Sequence, residues 1–337
     1  MTAALDISFL LWLQELRYAL GPGVEAALCA ITDFAASVYT VLIPIVIFWC
    51  FDKKTGRETL AVFAVAQMLN QFIKNTFCIY RPWIRDARVQ VAPEAAEGAT
   101  GYSFPSGHTV MATTIYGNLG RRYRTSHPGW AAVAFFAVPL VMFTRLYLGC
   151  HAPQDVLVGC AEAVLLICLS GPWERWLKEH EEYDTAILIG VHAITAIVCI
   201  YWVIKPYPMD YAADGTLLVD PVLMQEDCFQ AAGYLLAFVT GWYIDRRYIR
   251  FTTEGITGKV RIARILSGLV ITLAGGLTAR ILAGGLDLRA KDFVFYYVLV
   301  IFVTAAAPLM FQFTDRLALA GEKTRGKKTG ANNHEII

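Results

Sequence analysis

Charge is scarce in this chain. Asp, Glu, Lys and Arg make up 17% of its 337 residues and hydrophobic residues 56%, whereas charged residues are about a quarter of an ordinary soluble domain. That balance excludes a water-soluble fold and reads as a polytopic membrane protein. The net charge of +1 says nothing about nucleic acid, but the chain lacks the basic, aromatic-interleaved stripe that such binding would need. The eight cysteines lack metal-site spacing. Cys50, Cys160, Cys168 and Cys199 fall in apolar runs, where cysteine behaves as a small hydrophobe. Cys78 and Cys150 flank a polar region, and their positions leave a disulfide open without favouring it. Residues 1–20 lack the basic opening of a secretory signal, and Glu15 and Arg17 interrupt the short apolar run at 7–13. An interfacial helix is expected there instead.

Against this apolar background one polar segment stands out, GYSFPSGH at 101–108, which runs straight into an apolar stretch. Ser106 can cap a helix and Gly107 lets a ligand approach bare backbone. Free amides at a helix start, with the positive end of the helix dipole, favour an anion and above all phosphate. His108 falls in the first turn beside them. Alone, such a segment is more often a cap with an incidental histidine. Upstream, Lys74 and Arg81 are seven residues apart, close to two helical turns, so they are expected to share a face. Downstream, Arg145 is followed by His151 and then by Asp155, one turn on if Pro153 opens a helix. That spacing puts a carboxylate under an imidazole, where it can fix the tautomer. The plainer readings are snorkelling interface cations and a solvated helix pair.

Ten positions are specified by Lys74, Arg81, Pro82, Pro105, Ser106, Gly107, His108, Arg145, His151 and Asp155. With each at roughly one in twenty, chance gives on the order of 10⁻¹³ per placement. Their order and spacing resemble the signature of the type 2 phosphatidic acid phosphatase superfamily, which includes membrane lipid phosphatases, glucose-6-phosphatases and soluble vanadium haloperoxidases. The resemblance covers about residues 67–160. One departure is Thr144, where the family usually has serine; the hydroxyl is retained. The resemblance implies a phospho-histidine mechanism. In it Lys74, Arg81 and Arg145 clamp the phosphoryl oxygens with Ser106 and Gly107, His151 attacks while Asp155 orients it, and His108 serves as acid and then base. Neither a metal nor a cofactor is expected, since three fixed cations surround the phosphoryl group and the motifs lack the carboxylate cluster of a two-metal site.

The expected architecture is an all-α membrane bundle of about nine transmembrane helices, near 27–51, 60–79, 108–119, 130–148, 155–169, 185–204, 228–244, 262–286 and 293–313. This divides the chain into an interfacial segment (1–23), a catalytic membrane core (24–171), a four-helix extension (172–314) and a disordered cytoplasmic tail (315–337). The loop at 82–105 is long enough to have a task of its own. It is read as a headgroup lid, with Arg85 and Arg88 as candidate substrate contacts. Arg280, inside the eighth span, is a third, because an intramembrane arginine usually faces a polar cavity. Glu162 either pairs within the bundle or makes a structural hydrogen bond, and His192 is read as a core histidine. Lys and Arg number 19 on one side of the proposed spans and ten on the other. By the positive-inside rule the three motifs then face away from the cytoplasm, from a plasma or inner membrane.

The expected function is metal-independent hydrolysis of a lipid phosphate or pyrophosphate: polyprenyl pyrophosphate, phosphatidic acid, phosphatidylglycerophosphate or a sphingoid phosphate. Alternatives are transfer to a non-water acceptor, hydrolysis of a sugar phosphate, and non-catalytic binding or transport. The expected partners are the bilayer and the phosphorylated lipid; no oligomeric state follows from the sequence.

Overall fold

Prolines and short polar caps mark where the helices begin. Pro22, Pro128, Pro153 and Pro221 each occupy the first turn of a long helix, where the missing N–H costs nothing and φ is already helical. Asp52, Thr257 and Asp287 open others, each accepting a backbone N–H from the first turn, worth about 1 kcal/mol apiece.

The computed structural model describes residues 2–99 and 101–316. The described chain is helical apart from its loops and one isolated bridge between Tyr211 and Leu217. In order the helices are α1 (Thr2–Leu20), α2 (Pro22–Ala35), α3 (Val38–Cys50), α4 (Lys53–Phe77), α5 (Pro82–Arg85) and α6 (Pro93–Glu97). Then α7 (Gly107–Ala112) runs through a π-helical turn, Thr113–Gly117, into α8 (Asn118–Tyr123). The rest are α9 (Pro128–Tyr147), α10 (Pro153–Glu179), α11 (Asp184–Ile204), α12 (Pro221–Ile244), α13 (Gly258–Ala283) and α14 (Leu288–Ile301), the last continuing helically to Arg316.

Among the described residues six helical segments are long and apolar enough to cross a membrane, at 22–50, 128–147, 153–179, 181–204, 258–283 and 288–316, against the nine expected. Three expected spans fall short by that measure: α4, α7 with its continuation, and α12, which include Lys74, His108 and Asp227. The first expected span is divided at Ala36 and Ser37 into α2 and α3. Outward-facing Ile194, Ile197, Ile200, Leu266, Leu273 and Leu277 are each at least 59% exposed, an apolar surface that suits lipid rather than water.

Basic residues gather at one end of the bundle, tied by ion pairs: Arg121 to Glu58, Arg57 to Glu174, Lys53 to Asp245, Arg246 to Asp184 and Arg264 to Asp315. The end of α4, the start of α7, the end of α9 and the start of α10 meet at the other. There α1 lies against α2 and α9, with Ile7 and Leu10 packed on Val89 and Ala152. Asp315 thus belongs to the last helix; the remainder of the expected tail, from 317, lies outside the described residues. Arg280, expected inside the bundle, is exposed in the last turn of α13, which packs chiefly on α14 and α3. His192 is a satisfied interior histidine, 2.8 Å from Leu188 O and 3.4 Å from Thr240 Oγ1.

Candidate active site

Lys74 reaches the site from the last turn of α4. Its buried Nζ donates to Tyr102 O at 3.1 Å and Pro105 O at 3.0 Å, which leaves one of three ammonium donors for an anion. The helix stops just beyond, because Cys78 adopts a left-handed conformation (φ 50°) and its amide closes on Lys74 O at 2.9 Å. Arg81 therefore does not continue the face of Lys74, as the two-turn spacing suggested; the turn at Cys78 carries it round. Its Nε donates to Gly101 O at 3.1 Å, and its Nη1 to Cys150 O at 3.0 Å and to His151 Nε2 at 2.9 Å.

The Ser106 hydroxyl caps α7, accepting from Thr109 N at 3.5 Å and Thr109 Oγ1 at 3.1 Å, which leaves its own O–H to donate. The Ser106 amide donates to Asp155 O at 3.0 Å, tying the start of α7 to the start of α10. Those two elements meet backbone to side: a Cβ added at Gly159 would stand 2.9 Å from Ser106 O. Beside Gly107 lies Asn70, whose Nδ2 donates to Glu162 Oε1 at 3.1 Å. Glu162 is thus held in a hydrogen bond between α4 and α10.

Arg145, in the last turn of α9, is 1% exposed. Its Nη1 stands 3.5 Å from Thr32 Oγ1 on α2, and its Nε and Nη2 have no hydrogen-bond partner among the described residues. Burying a guanidinium so poorly satisfied costs several kcal/mol by order of magnitude unless an anion meets it. The neighbouring Thr144 hydroxyl bonds back to Val141 O at 2.7 Å, so it serves its own helix.

His151 lies in the turn between α9 and α10 and is 1% exposed. Its Nδ1 faces Asp155 Oδ2 at 3.5 Å and Ser103 Oγ at 3.3 Å. Ser103 donates to the same Oδ2 at 2.5 Å, and so does the Ala152 amide at 2.8 Å. These contacts put the proton on Nδ1 and leave Nε2 as a lone-pair acceptor toward Arg81. Burial, followed by the charges of Arg81, Arg145 and Lys74, holds the His151 imidazole well below its ordinary 6.5. His108, half-buried at the start of α7, feels the charges of Arg145, His151, Arg81 and Lys74, which places the expected residues around one point.

Not every candidate joins them. Arg85 pairs with Asp6 on α1 and Arg88 with Asp86. Arg280 is exposed in the last turn of α13. Cys78 and Cys150 are both free thiols. Sequence reasoning passed over Ser103 and Thr32. Ser103 is flanked by residues that drew attention, yet nothing in its spacing marks it. Among the described residues no three His, Cys, Asp or Glu side chains gather as a metal site.

The profile of the PAP2 superfamily matches residues 56–179, and that of the PAP2 superfamily phosphatase transmembrane extension matches residues 229–321. The chain is similar to lipid phosphate phosphatase delta of Arabidopsis thaliana, 28% identical over 44% of this chain and 36% of that protein. It is also similar to phosphatidylglycerophosphatase B of Bacillus subtilis, 27% identical over 48% of this chain and 80% of that one. Mouse sphingosine-1-phosphate phosphatase 1 is 24% identical over 50% and 40%. The chain thus spans well under half the length of two of these three relatives. No solved structure matches it.

Proposed function

The chain belongs to the PAP2 superfamily, and from that premise we propose that it is an integral membrane phosphatase that hydrolyses a lipid phosphate or pyrophosphate through a phospho-histidine intermediate. The observation that carries this reading is Arg145, a buried guanidinium with two unpartnered nitrogens in a cluster that also holds Lys74, Arg81 and two histidines. Such a cluster is incomplete without an anion, and phosphoryl oxygens match its donors.

In the proposed reaction the phosphoryl group enters between Arg145 and Lys74 and draws Arg81 off Nε2 of His151. The freed lone pair attacks phosphorus, forming the N–P bond as the bond to the leaving oxygen breaks. His108, which takes up a proton as the phosphoryl dianion offsets the surrounding cations, gives it to that oxygen, then removes one from water, which attacks phosphorus and releases His151 with inorganic phosphate. Charge building on the phosphoryl oxygens meets Lys74, Arg145, the Ser106 hydroxyl and the amides at the start of α7, held in place beforehand, and Arg81 once it has left Nε2.

A lipid substrate is favoured by the surroundings. An apolar cleft of about 1070 Å³, lined by residues including Met68, Phe72, Leu166, Trp173, Phe238 and Trp242, runs between α4 and α10 on one side and α11 and α12 on the other. These first two helices carry Lys74 and Asp155. The arrangement suits a headgroup at the site and hydrocarbon along the helices. Collection of basic residues at the opposite end supports a site facing away from the cytoplasm.

The test is phosphate release by purified protein from polyprenyl pyrophosphate, phosphatidic acid, phosphatidylglycerophosphate, a sphingoid phosphate and glucose 6-phosphate, with His151→Ala and His108→Ala as controls. Turnover of at least one lipid, lost by about 100-fold or more in both variants, supports the reading. Vanadate binding without turnover of any of the five would replace it with a binding protein.

A further inference from the structure

The second helical unit, α11 to α14, touches the turn that carries Lys74 and Arg81 at several separate places. Lys205, the first residue after α11, donates from Nζ to Asn75 O, in the last turn of α4, and lies 3.1 Å from Cys78 Sγ and 4.1 Å from the centre of the Tyr207 ring. Asp210 accepts from the Tyr80 hydroxyl at 2.7 Å. Met224 of α12 occupies the space that a side chain at Gly101 would need and packs in a buried cluster with Cys78, Tyr102 and Val219. One turn along, Asp227 is one of the carboxylates whose charge acts on Lys74, with Asp155 and Glu162.

These contacts answer a local difficulty. A left-handed conformation is unfavourable for a residue with a Cβ, and Cys78 adopts one where the last carbonyls of α4 need partners. An ammonium at that point satisfies a carbonyl and opposes the negative end of the helix dipole. Without it, α4 would be free to unwind or extend, and Arg81, three residues on, would move with it. The arm from Cys78 to Arg81 is thus held from outside the unit that contains the histidines.

We propose that the second helical unit is a positioning element of the phosphate site: Lys205, helped by Asp210 on Tyr80, holds the Cys78 turn so that Arg81 and Lys74 converge on the phosphoryl group beside His151. Lys205 and Asp210 are positioning residues, since they act through the turn. The inference rests on the phosphate-site reading above, and its readout is anion affinity, which needs no substrate.

The experiment uses the full chain in detergent and orthovanadate as the probe. Affinity is read from the shift of thermal unfolding with vanadate concentration, and from inhibition of lipid-phosphate turnover. Lys205→Met is expected to weaken vanadate about tenfold and to lower kcat/KM by a similar factor, with little change in the unfolding temperature of the vanadate-free protein. Lys205→Arg, which keeps a cation on Asn75 O, restores both to within about threefold. Tyr80→Phe removes only the hydroxyl on Asp210, so it reports on the same turn if the Lys205 variants fail to fold, and it is expected to weaken vanadate severalfold. Unchanged vanadate affinity in Lys205→Met and Tyr80→Phe overturns the proposal. So does a Lys205→Arg variant as weak as Lys205→Met, which would reduce the contact to packing. A wild type that binds vanadate but releases no phosphate defeats the proposed reaction, while the Lys205 comparison still decides this inference.

Discussion

Oγ of Ser103 lies 2.5 Å from Oδ2 of Asp155, closer to that carboxylate than the imidazole it faces, whose Nδ1 is 3.5 Å away. The serine also stands 3.3 Å from Nδ1. Donors and acceptors then run in one direction, from Nδ1–H to the serine oxygen and from the serine O–H to the carboxylate. In the proposed reaction the orienting role of Asp155 reaches His151 largely through Ser103.

Ser103→Ala should therefore lower kcat by about ten- to 100-fold while leaving KM within about twofold, because tautomer control is lost and the cations remain. Ser103→Thr keeps the hydroxyl and should recover most of the rate. Steady-state kinetics on the preferred lipid phosphate decide it; a Ser103→Ala enzyme as fast as the wild type would show that Asp155 acts on the imidazole directly.

Arg145→Met separates binding from folding. Removing a buried charge with two unpartnered nitrogens should leave the unfolding temperature unchanged or raise it. Vanadate affinity should fall by about 100-fold. A marked loss of thermal stability without loss of vanadate binding would make Arg145 a structural cation.

The pH profile follows from His151. Burial and three neighbouring cations hold it well below 6.5, so Nε2 is already unprotonated at neutral pH, and the acid limb of kcat/KM should fall below pH 6.5. The same shift bears on stability. Between the folded and the unfolded pKa the unfolded chain binds more protons, so this histidine weakens the fold as pH drops below about 6.5 and leaves it untouched above. Rate and chemical-denaturation measurements from pH 4.5 to 8 test both; an acid limb centred at or above 7 contradicts the assignment.

Gly159→Ala places a Cβ 2.9 Å from Ser106 O and 3.3 Å from Val110 Cγ2. The first of these is backbone, which cannot swing aside, so α10 must move away from the start of α7. A loss of about 1–3 kcal/mol in stability is expected, with a fall in kcat/KM as His108 and Asp155 separate. Unchanged unfolding and kinetics would mean the two helices pack less closely than described.

Much of the site was legible because it is local. Pro153 opens α10 and so puts Asp155 one turn beyond His151, and Ser106 caps the helix that presents His108; both follow from the chemistry of neighbouring residues. The membrane class followed from composition in the same way, since hydropathy adds up along the chain. Span number was less legible, because α4, α7 and α12 mix polar groups into apolar runs and their status depends on what they pack against.

The amino-acid sequence by itself determined the membrane class, the starts of α7 and α10, and the set of cations and histidines that the motifs name. Only the tertiary structure decided that Arg81 leaves the face of Lys74 through a left-handed turn at Cys78, that Ser103 joins His151 to Asp155, and that Lys205 and Asp210 reach the turn from more than 100 residues away. The reason is physical. Capping and hydropathy are set by a residue and its near neighbours, whereas a buried hydrogen bond or charge pair between distant segments exists only once long-range packing has excluded water and brought its partners together.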